Sequence, residues 1–284
     1  MNRITLPAHA KLNLTLDILR RRPDGYHDLQ MVMQSVELHD DVKVTLTDGE
    51  GIVCRCGPIP GDESNLCVKA ARAFFAQTGV VQGGGLAIDV VKRIPVQAGM
   101  AGGSSDAAAT LRALRKLLKP ELLGEELERI GAAVGSDVPY CLRGGTALAE
   151  GRGERITTLR AAPPFQVVLC KPDFDISTPA LFARVHVSEL WSRPDTSGML
   201  AALHRGDADG VLARVKNVFE NVLPPECVEV FEIKKKLHDL HAEACAMTGS
   251  GPTVFGLFRD EAEAKRAFRA LRREYSKTFL TRFV

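Results

Sequence analysis

A mixed α+β fold in two lobes is what the sequence predicts, on three observations. Strict apolar–polar alternation near the start marks strands. A three-to-four-residue apolar period in the middle marks helices. Ala161-Ala162-Pro163-Pro164 then interrupts the pattern before a new strand, and helices and strands never settle into regular β-α-β repetition. With 284 residues the chain exceeds one ordinary core, so a boundary is placed near Leu159–Pro164, giving lobes 1–160 and 161–284.

The elements follow in order. Ala10, Leu12, Leu14, Leu16 and Ile18 alternate with Lys11, Asn13, Thr15 and Asp17. That predicts a half-buried strand, with Lys11 and Asn13 side by side on its polar face. Val42, Val44 and Leu46 mark a second strand. Ser64–Thr78 reads as a helix closed by Gly79, and Leu86–Val91 as a strand. Ala107, Leu111, Leu114 and Leu118 recur at helical spacing until Pro120 stops them. Further helices are expected over Glu125–Val134 and Glu261–Glu274. Strands are expected over Gly144–Glu150, Phe165–Cys170, Ala244–Thr248, Thr253–Phe258 and Thr278–Phe283.

Composition narrows the function classes. A formal net charge of +2 is too small to imply a nucleic-acid or acidic-membrane partner. No apolar run reaches membrane-spanning length, and the first residues lack the apolar core of a signal peptide. Seven cysteines without framework spacing read as reduced thiols of a cytoplasmic protein. No obligate protein partner is evident.

The segment Pro95, Val96, Gln97, Ala98, Gly99, Met100, Ala101, Gly102, Gly103, Ser104 and Ser105 carries the chemistry. It follows a strand and opens a helix, and its glycines allow sharp turns and close ligand approach. Free amides and the dipole at a helix start favour an anion, so a triphosphate tail fits. A glycine-rich turn with a serine cap is the plain alternative. No Gly-Lys-Ser/Thr occurs, which excludes a Walker loop, and no G-x-G-x-x-G occurs, which excludes a Rossmann or protein-kinase reading.

This segment resembles the phosphate-binding motif of the GHMP kinases. Pro7-Ala-His-Ala-Lys-Leu-Asn-Leu14 is similar to that family's first motif, and Met247-Thr-Gly-Ser-Gly-Pro252 to its third. Arg22-Pro-Asp-Gly-Tyr-His27 and Gly135-Ser-Asp-Val-Pro139 match the branch acting on a cytidine diphosphate methylerythritol. Gln97-Ala-Gly-Met-Ala stands where a more glycine-rich run is common, a variation expected to tune loop stiffness.

The resemblance implies an N-terminal lobe like ribosomal protein S5 domain 2 and a ferredoxin-like C-terminal lobe. It implies transfer of the ATP γ-phosphoryl group to the acceptor's 2-hydroxyl, a step of the non-mevalonate route to isoprenoid precursors, with Mg²⁺ accompanying the nucleotide. Asp137 matches the family's catalytic aspartate and Lys11 its catalytic lysine. Asn13 is assigned to hydrogen-bonding the substrate or orienting Asp137, Tyr26 and Phe182 to stacking on cytosine, His27 to hydrogen bonds with that base, and Thr178 to the same pocket. Gly249-Ser250-Gly251 is either a turn against the nucleotide phosphates or a plain hairpin turn. No protein ligand set for a metal is expected. The S5-like lobe and a pI of about 8.2 raise an RNA-binding reading. Against it stands the absence of a basic stripe with interleaved aromatics.

Overall fold

The structure, a computed structural model, describes residues 2–81 and 83–284. Two compact units emerge from the packing. The first comprises Met1–Ala10, His39–Val96 and Ala101–Gly144; the second comprises Lys11–Leu38, Gln97–Met100 and Gly145–Val284.

Strand β1 (Arg3–Arg21) contributes its first residues to the first unit, and β2 (His27–Thr47) its last. There β4 (Gly85–Val91) pairs antiparallel with β2, placing Asp41 opposite Val91, and β3 (Ile52–Arg55) runs parallel to β4. Helix α1 (Leu66–Thr78) starts because the Asn65 side chain accepts from the Cys67 amide at 2.9 Å, and it stops at Gly79, φ +67°. Helices α2 (Gly102–Leu118), α3 (Gly124–Val134) and α4 (Val138–Arg143) complete this unit. Ala107, Ala108, Ala109 and Ala113 are fully buried along α2, so small side chains let α1 and α4 approach it closely.

In the second unit β5 (Thr146–Gly151) pairs antiparallel with Leu29–Gln34 of β2, and β6 (Arg155–Thr158) folds back on β5. The chain then forms β7 (Gln166–Lys171), α5 (Thr178–Ala183), α6 (Thr196–Arg205) and α7 (Ala208–Leu212). Two residues, β8 (Lys216–Asn217), run parallel to β1 at Thr15 and Leu16. Next come α8 (Val228–Asp239), β9 (Ala244–Met247), β10 (Val254–Phe258), α9 (Glu261–Arg272) and β11 (Lys277–Arg282). Strands β11-β7-β10-β9 form an antiparallel sheet against which α8 and α9 pack. This β-α-β-β-α-β order with spatial order 4-1-3-2 is the ferredoxin-like arrangement. Both faces of this sheet are buried: Gly256 faces Leu237 of α8, so Val168 opposite it lies on the helix side, whereas Val167, Leu169, Phe255 and Leu257 lie on the other.

One expectation is corrected. The strand through Ala10–Ile18 is not half-buried, because its polar face is closed as well: Lys11 is 4%, Asn13 0%, Thr15 0% and Asp17 6% exposed. Each of these side chains is satisfied locally. The Thr15 hydroxyl accepts from the Val32 amide at 3.1 Å, and Asp17 pairs with Arg193 at 3.0 Å. Burial of polar groups is tolerable on such terms.

Candidate active site

Pro95–Ser105 departs from ordinary backbone at alternate residues. Gln97 (φ +53°), Gly99 (φ +71°) and Ala101 (φ +57°) all adopt left-handed conformations. Helix α2 then starts at Gly102, with Ala101 as its N-cap and no side chain capping it. The serine cap weighed from sequence is therefore absent, since Ser104 and Ser105 lie inside the first turn. The first helical bond there is the Ser105 amide to the Ala101 carbonyl at 2.9 Å. The amides of Gly102, Gly103 and Ser104 precede it, at the positive end of a 17-residue helix. That end suits an anion. The Ser105 hydroxyl donates to the His9 carbonyl at 2.7 Å, which leaves its oxygen lone pairs available.

The glycines have packing reasons of their own. A Cβ on Gly99 would fall well inside contact distance of the Thr248 carbonyl, and one on Gly102 would sit 3.0 Å from Ile94 Cγ2 and 3.4 Å from Lys92 Nζ. Around the loop, Ala98 and Met100 are buried, Pro95 and Gly99 half-buried, and Val96 and Gln97 exposed.

Lys11 reaches this loop within the second unit. Its Nζ donates to Asn13 Oδ1 at 2.8 Å and to the Gly99 carbonyl at 3.0 Å, and its amide bonds the Met100 carbonyl at 3.1 Å. Asn13 Oδ1 also accepts from the Gly249 amide at 2.9 Å, while the Asn13 amide donates to the Thr248 hydroxyl at 3.2 Å. Gly249-Ser250-Gly251 is thus the turn that packs on Gly99, as well as the link between β9 and β10. Asn217 holds this turn, its Nδ2 donating to the carbonyls of Met247 and Gly249, both at 2.8 Å.

His27 and Phe182 also come together. Their rings stack at 5.2 Å with 20° between planes, and Phe219 meets Phe182 edge-on at 4.9 Å. His27 Nε2 is buried with no hydrogen-bond partner among the described residues. Burial, aided by the charge of Arg21, holds its imidazole below the usual histidine pKa, so the ring is neutral near pH 7. Tyr26 is 58% exposed with the Arg152 guanidinium 4.9 Å from its ring centre. Thr178 opens α5, its hydroxyl 2.6 Å from that of Ser250. Asp137, in the first unit, stands at the entrance of α4, half-buried; its carboxylate caps nothing and has no partner among the described residues.

Sequence reasoning missed a buried cluster in the first unit. Lys92 Nζ donates to Asp40 Oδ2 at 2.5 Å and to Asp106 Oδ2 at 2.7 Å. Asp40 Oδ1 in turn accepts from the amides of Arg93 and Ile94. Burial pushes the Asp106 carboxyl up to about 7, against the pull of Lys92. Lys92 stays above its usual value because the two carboxylates outweigh its own burial. Among the described residues, no group of three or more His, Cys, Asp or Glu side chains is placed to hold a metal ion, and no helix is long and apolar enough to cross a membrane.

Comparison with known proteins places these features in a lineage. The chain matches the GHMP kinases N terminal domain over residues 65–145 and the GHMP kinases C terminal domain over 199–277. A 4-diphosphocytidyl-2-C-methyl-D-erythritol kinase of Brevibacillus brevis is 46% identical, across 99% of this chain and 97% of that one. A kinase of the same name from a Geobacillus species is 42% identical over equal shares. A crystal structure of 4-(cytidine 5'-diphospho)-2C-methyl-D-erythritol kinase superposes with a TM-score of 0.85 at 32% identity, covering 99% of both chains. A homoserine kinase from Cytophaga hutchinsonii, at 18% identity, covers 100% of this chain and 95% of its own with a TM-score of 0.76, and shares the fold.

Proposed function

This chain belongs to the GHMP kinase family, and we propose that it transfers the γ-phosphoryl group of ATP to the 2-hydroxyl of 4-(cytidine 5'-diphospho)-2-C-methyl-D-erythritol. This reaction is a step of the non-mevalonate route to isoprenoid precursors. The observation that carries the reading is the hydrogen bond from Lys11 to the Gly99 carbonyl, at 3.0 Å. It fastens a cation to a loop whose following helix presents free amides.

Phosphoryl transfer asks the protein for positioning and for stabilisation of charge on the moving oxygens. Pro95–Ser105 cradles the triphosphate. Asp137 accepts the proton of the tertiary hydroxyl as transfer proceeds. Lys11 offsets negative charge that develops on the oxygens. It has the means, since an ammonium carries three donors and two are used, leaving one for the substrate. Asn13 fixes Lys11 and borders the acceptor. His27 reads the cytosine edge through an Nε2 that has no partner among the described residues. Phe182 supports the base, with Tyr26 covering it and Thr178 at the pocket wall.

Mg²⁺ accompanies ATP and supplies charge neutralisation for the phosphates. An ion that keeps several waters needs few protein ligands. The partnerless Asp137 carboxylate and the Ser105 oxygen, its proton already committed to His9, are side chains that fit it. The division into lobes 1–160 and 161–284 is kept in this proposal. It is supported by family matches that fall on either side of the boundary. A cytoplasmic setting agrees with seven free cysteines.

The test is ADP release from ATP with and without the cytidine diphosphate acceptor. Acceptor-dependent release is expected, with mevalonate, homoserine and galactose inactive. Turnover on one of those three alone would reassign the substrate.

A further inference from the structure

Asp40, Lys92 and Asp106 are far apart in sequence and meet for a reason the topology supplies. Antiparallel pairing sets Asp41 opposite Val91, so Asp40 in β2 faces Lys92 just beyond the end of β4. Asp106 is the fifth residue of α2, on the turn that presents the free amides. Lys92 therefore joins Asp40 of β2, the strand paired with β4, to Asp106 of the helix after the loop, at 2.5 and 2.7 Å. Both carboxylates are essentially inaccessible, at 0% and 2% side-chain exposure, and Lys92 is at 9%.

Further contacts of the cluster reach the loop itself. Asp40 Oδ1 accepts from the amides of Arg93 and Ile94, the last residues before Pro95. Gly102, the first helical residue, has no side chain because Ile94 and Lys92 fill that space. One oxygen of the cluster, Asp106 Oδ1, is buried without a hydrogen-bond partner among the described residues. A surplus carboxylate in such a place is a poor device for stability alone. Replacing a buried ionic cluster by packed apolar groups is often neutral or stabilising, so a cluster that pins two particular segments argues for geometry.

We propose that Asp40, Lys92 and Asp106 are positioning residues for the phosphate donor. They clamp the entry of the Pro95–Ser105 loop to its exit, so that the amides of α2 are aimed before the nucleotide arrives. None of the three touches the nucleotide. The proposal rests on the assignment of this loop to ATP, and it adds that the cradle is preformed by an ionic clamp beneath it. A preformed cradle spares the nucleotide the cost of ordering the loop, so losing the clamp is a loss of donor affinity.

The experiment compares wild type, Asp106→Asn and Lys92→Met, using far-UV circular dichroism, calorimetric ATP binding, and KM for each substrate beside kcat. Asp106→Asn keeps the shape and the Lys92–Asp40 pair, so it carries the test should Lys92→Met fail to fold. The expected result for folded Asp106→Asn is a Kd and KM for ATP raised about tenfold, with kcat and the acceptor's KM within about threefold. Unchanged ATP affinity in that variant would overturn the clamp. So would an equal rise in both KM values, which marks general loosening. Wild-type protein that turns over acceptor but binds no ATP to the free enzyme would also sink it. Wild type inert toward ATP in every assay would refute the donor assignment itself.

Discussion

Lys11 and Asp137 are assigned to one reaction but live in opposite surroundings. Lys11 is 4% exposed and already bonded to Asn13 and Gly99, whereas Asp137 is half-buried and its carboxylate meets no partner among the described residues. No carboxylate stands within ion-pair distance of Lys11 among those residues either. Lys11 is held by neutral oxygens, with one of its three donors uncommitted. A carboxylate that caps no helix and bonds no neighbour is likewise uncommitted. The difference is in what each side chain costs the fold: that of Lys11 is part of its hydrogen bonding, and that of Asp137 is not.

The largest effect expected from that contrast is on Asp137→Asn. Its kcat should fall by about 10²-fold or more, the scale of a lost general base. Its melting temperature should stay put, because no contact is removed. A large fall in melting temperature would break the comparison, and near-normal turnover would remove Asp137 from its role. Lys11→Met should lose both properties. Its turnover should drop by about thirtyfold, with little change in ATP affinity. Its stability should drop by about 1–3 kcal/mol, because Asn13 Oδ1 and the Gly99 carbonyl lose a donor inside the protein. Collapse of ATP binding alone would make Lys11 a phosphate clamp instead.

Gly99→Ala tests the seam that holds Lys11 in place. Gly99 sits at φ +71° and packs on the Thr248 carbonyl, so a methyl group strains the backbone and displaces the carbonyl that Lys11 bonds. A stability loss of about 1–3 kcal/mol is expected with a turnover loss of about tenfold, as catalytic geometry slips. Unfolding in urea and steady-state kinetics on the same preparation decide it. Wild-type values for both would show that the loop does not lean on the Thr248–Gly251 turn.

The same contrast explains what could be read from sequence. Short local motifs were legible: Gly79 closes α1 as its position implies, although the helix starts at Leu66 behind the Asn65 cap and not at Ser64, and the loop before α2 announces itself by composition. Contacts assembled by register were not. Nothing near Asp40 in the sequence points to Lys92 or Asp106; strand pairing and one helical turn make that cluster. Strand β2 runs over 21 residues, yet only Val42–Leu46 alternate cleanly, because buried Gln34, Ser35 and Asp40 interrupt the apolar period. Helix α4, six residues long with Pro139 near its start, is too short to show a period. Alternation in β1 marked one buried face and could not show that hydrogen bonds bury the other. Composition shows that the loop's glycines leave room for a ligand, but it does not show that Gly102 also makes room for Ile94 and Lys92.

The smallest expected effect concerns the base, where His27 resembles Asp137 in keeping one polar atom unpaired. Its Nε2 is buried without a partner, and its ring is fixed by stacking on Phe182. Burial keeps the imidazole neutral, so its ring nitrogens include one donor and one acceptor. Uracil presents cytosine's flat face and its carbonyl at position two. It replaces the exocyclic amine by a carbonyl and protonates the neighbouring nitrogen, swapping donor and acceptor where His27 would meet them. A mismatched buried pair costs about 1–3 kcal/mol, so a uridine analogue should lose about tenfold or more in kcat/KM. In His27→Ala that discrimination should shrink toward unity. In Phe182→Ala both substrates should weaken by similar factors, since a stacking platform is indifferent to the base edge. The measurement is kcat/KM for both substrates in all three proteins. Equal discrimination by wild type and His27→Ala would mean that the free nitrogen does not read the base, and His27 would then be only the ring on which Phe182 rests.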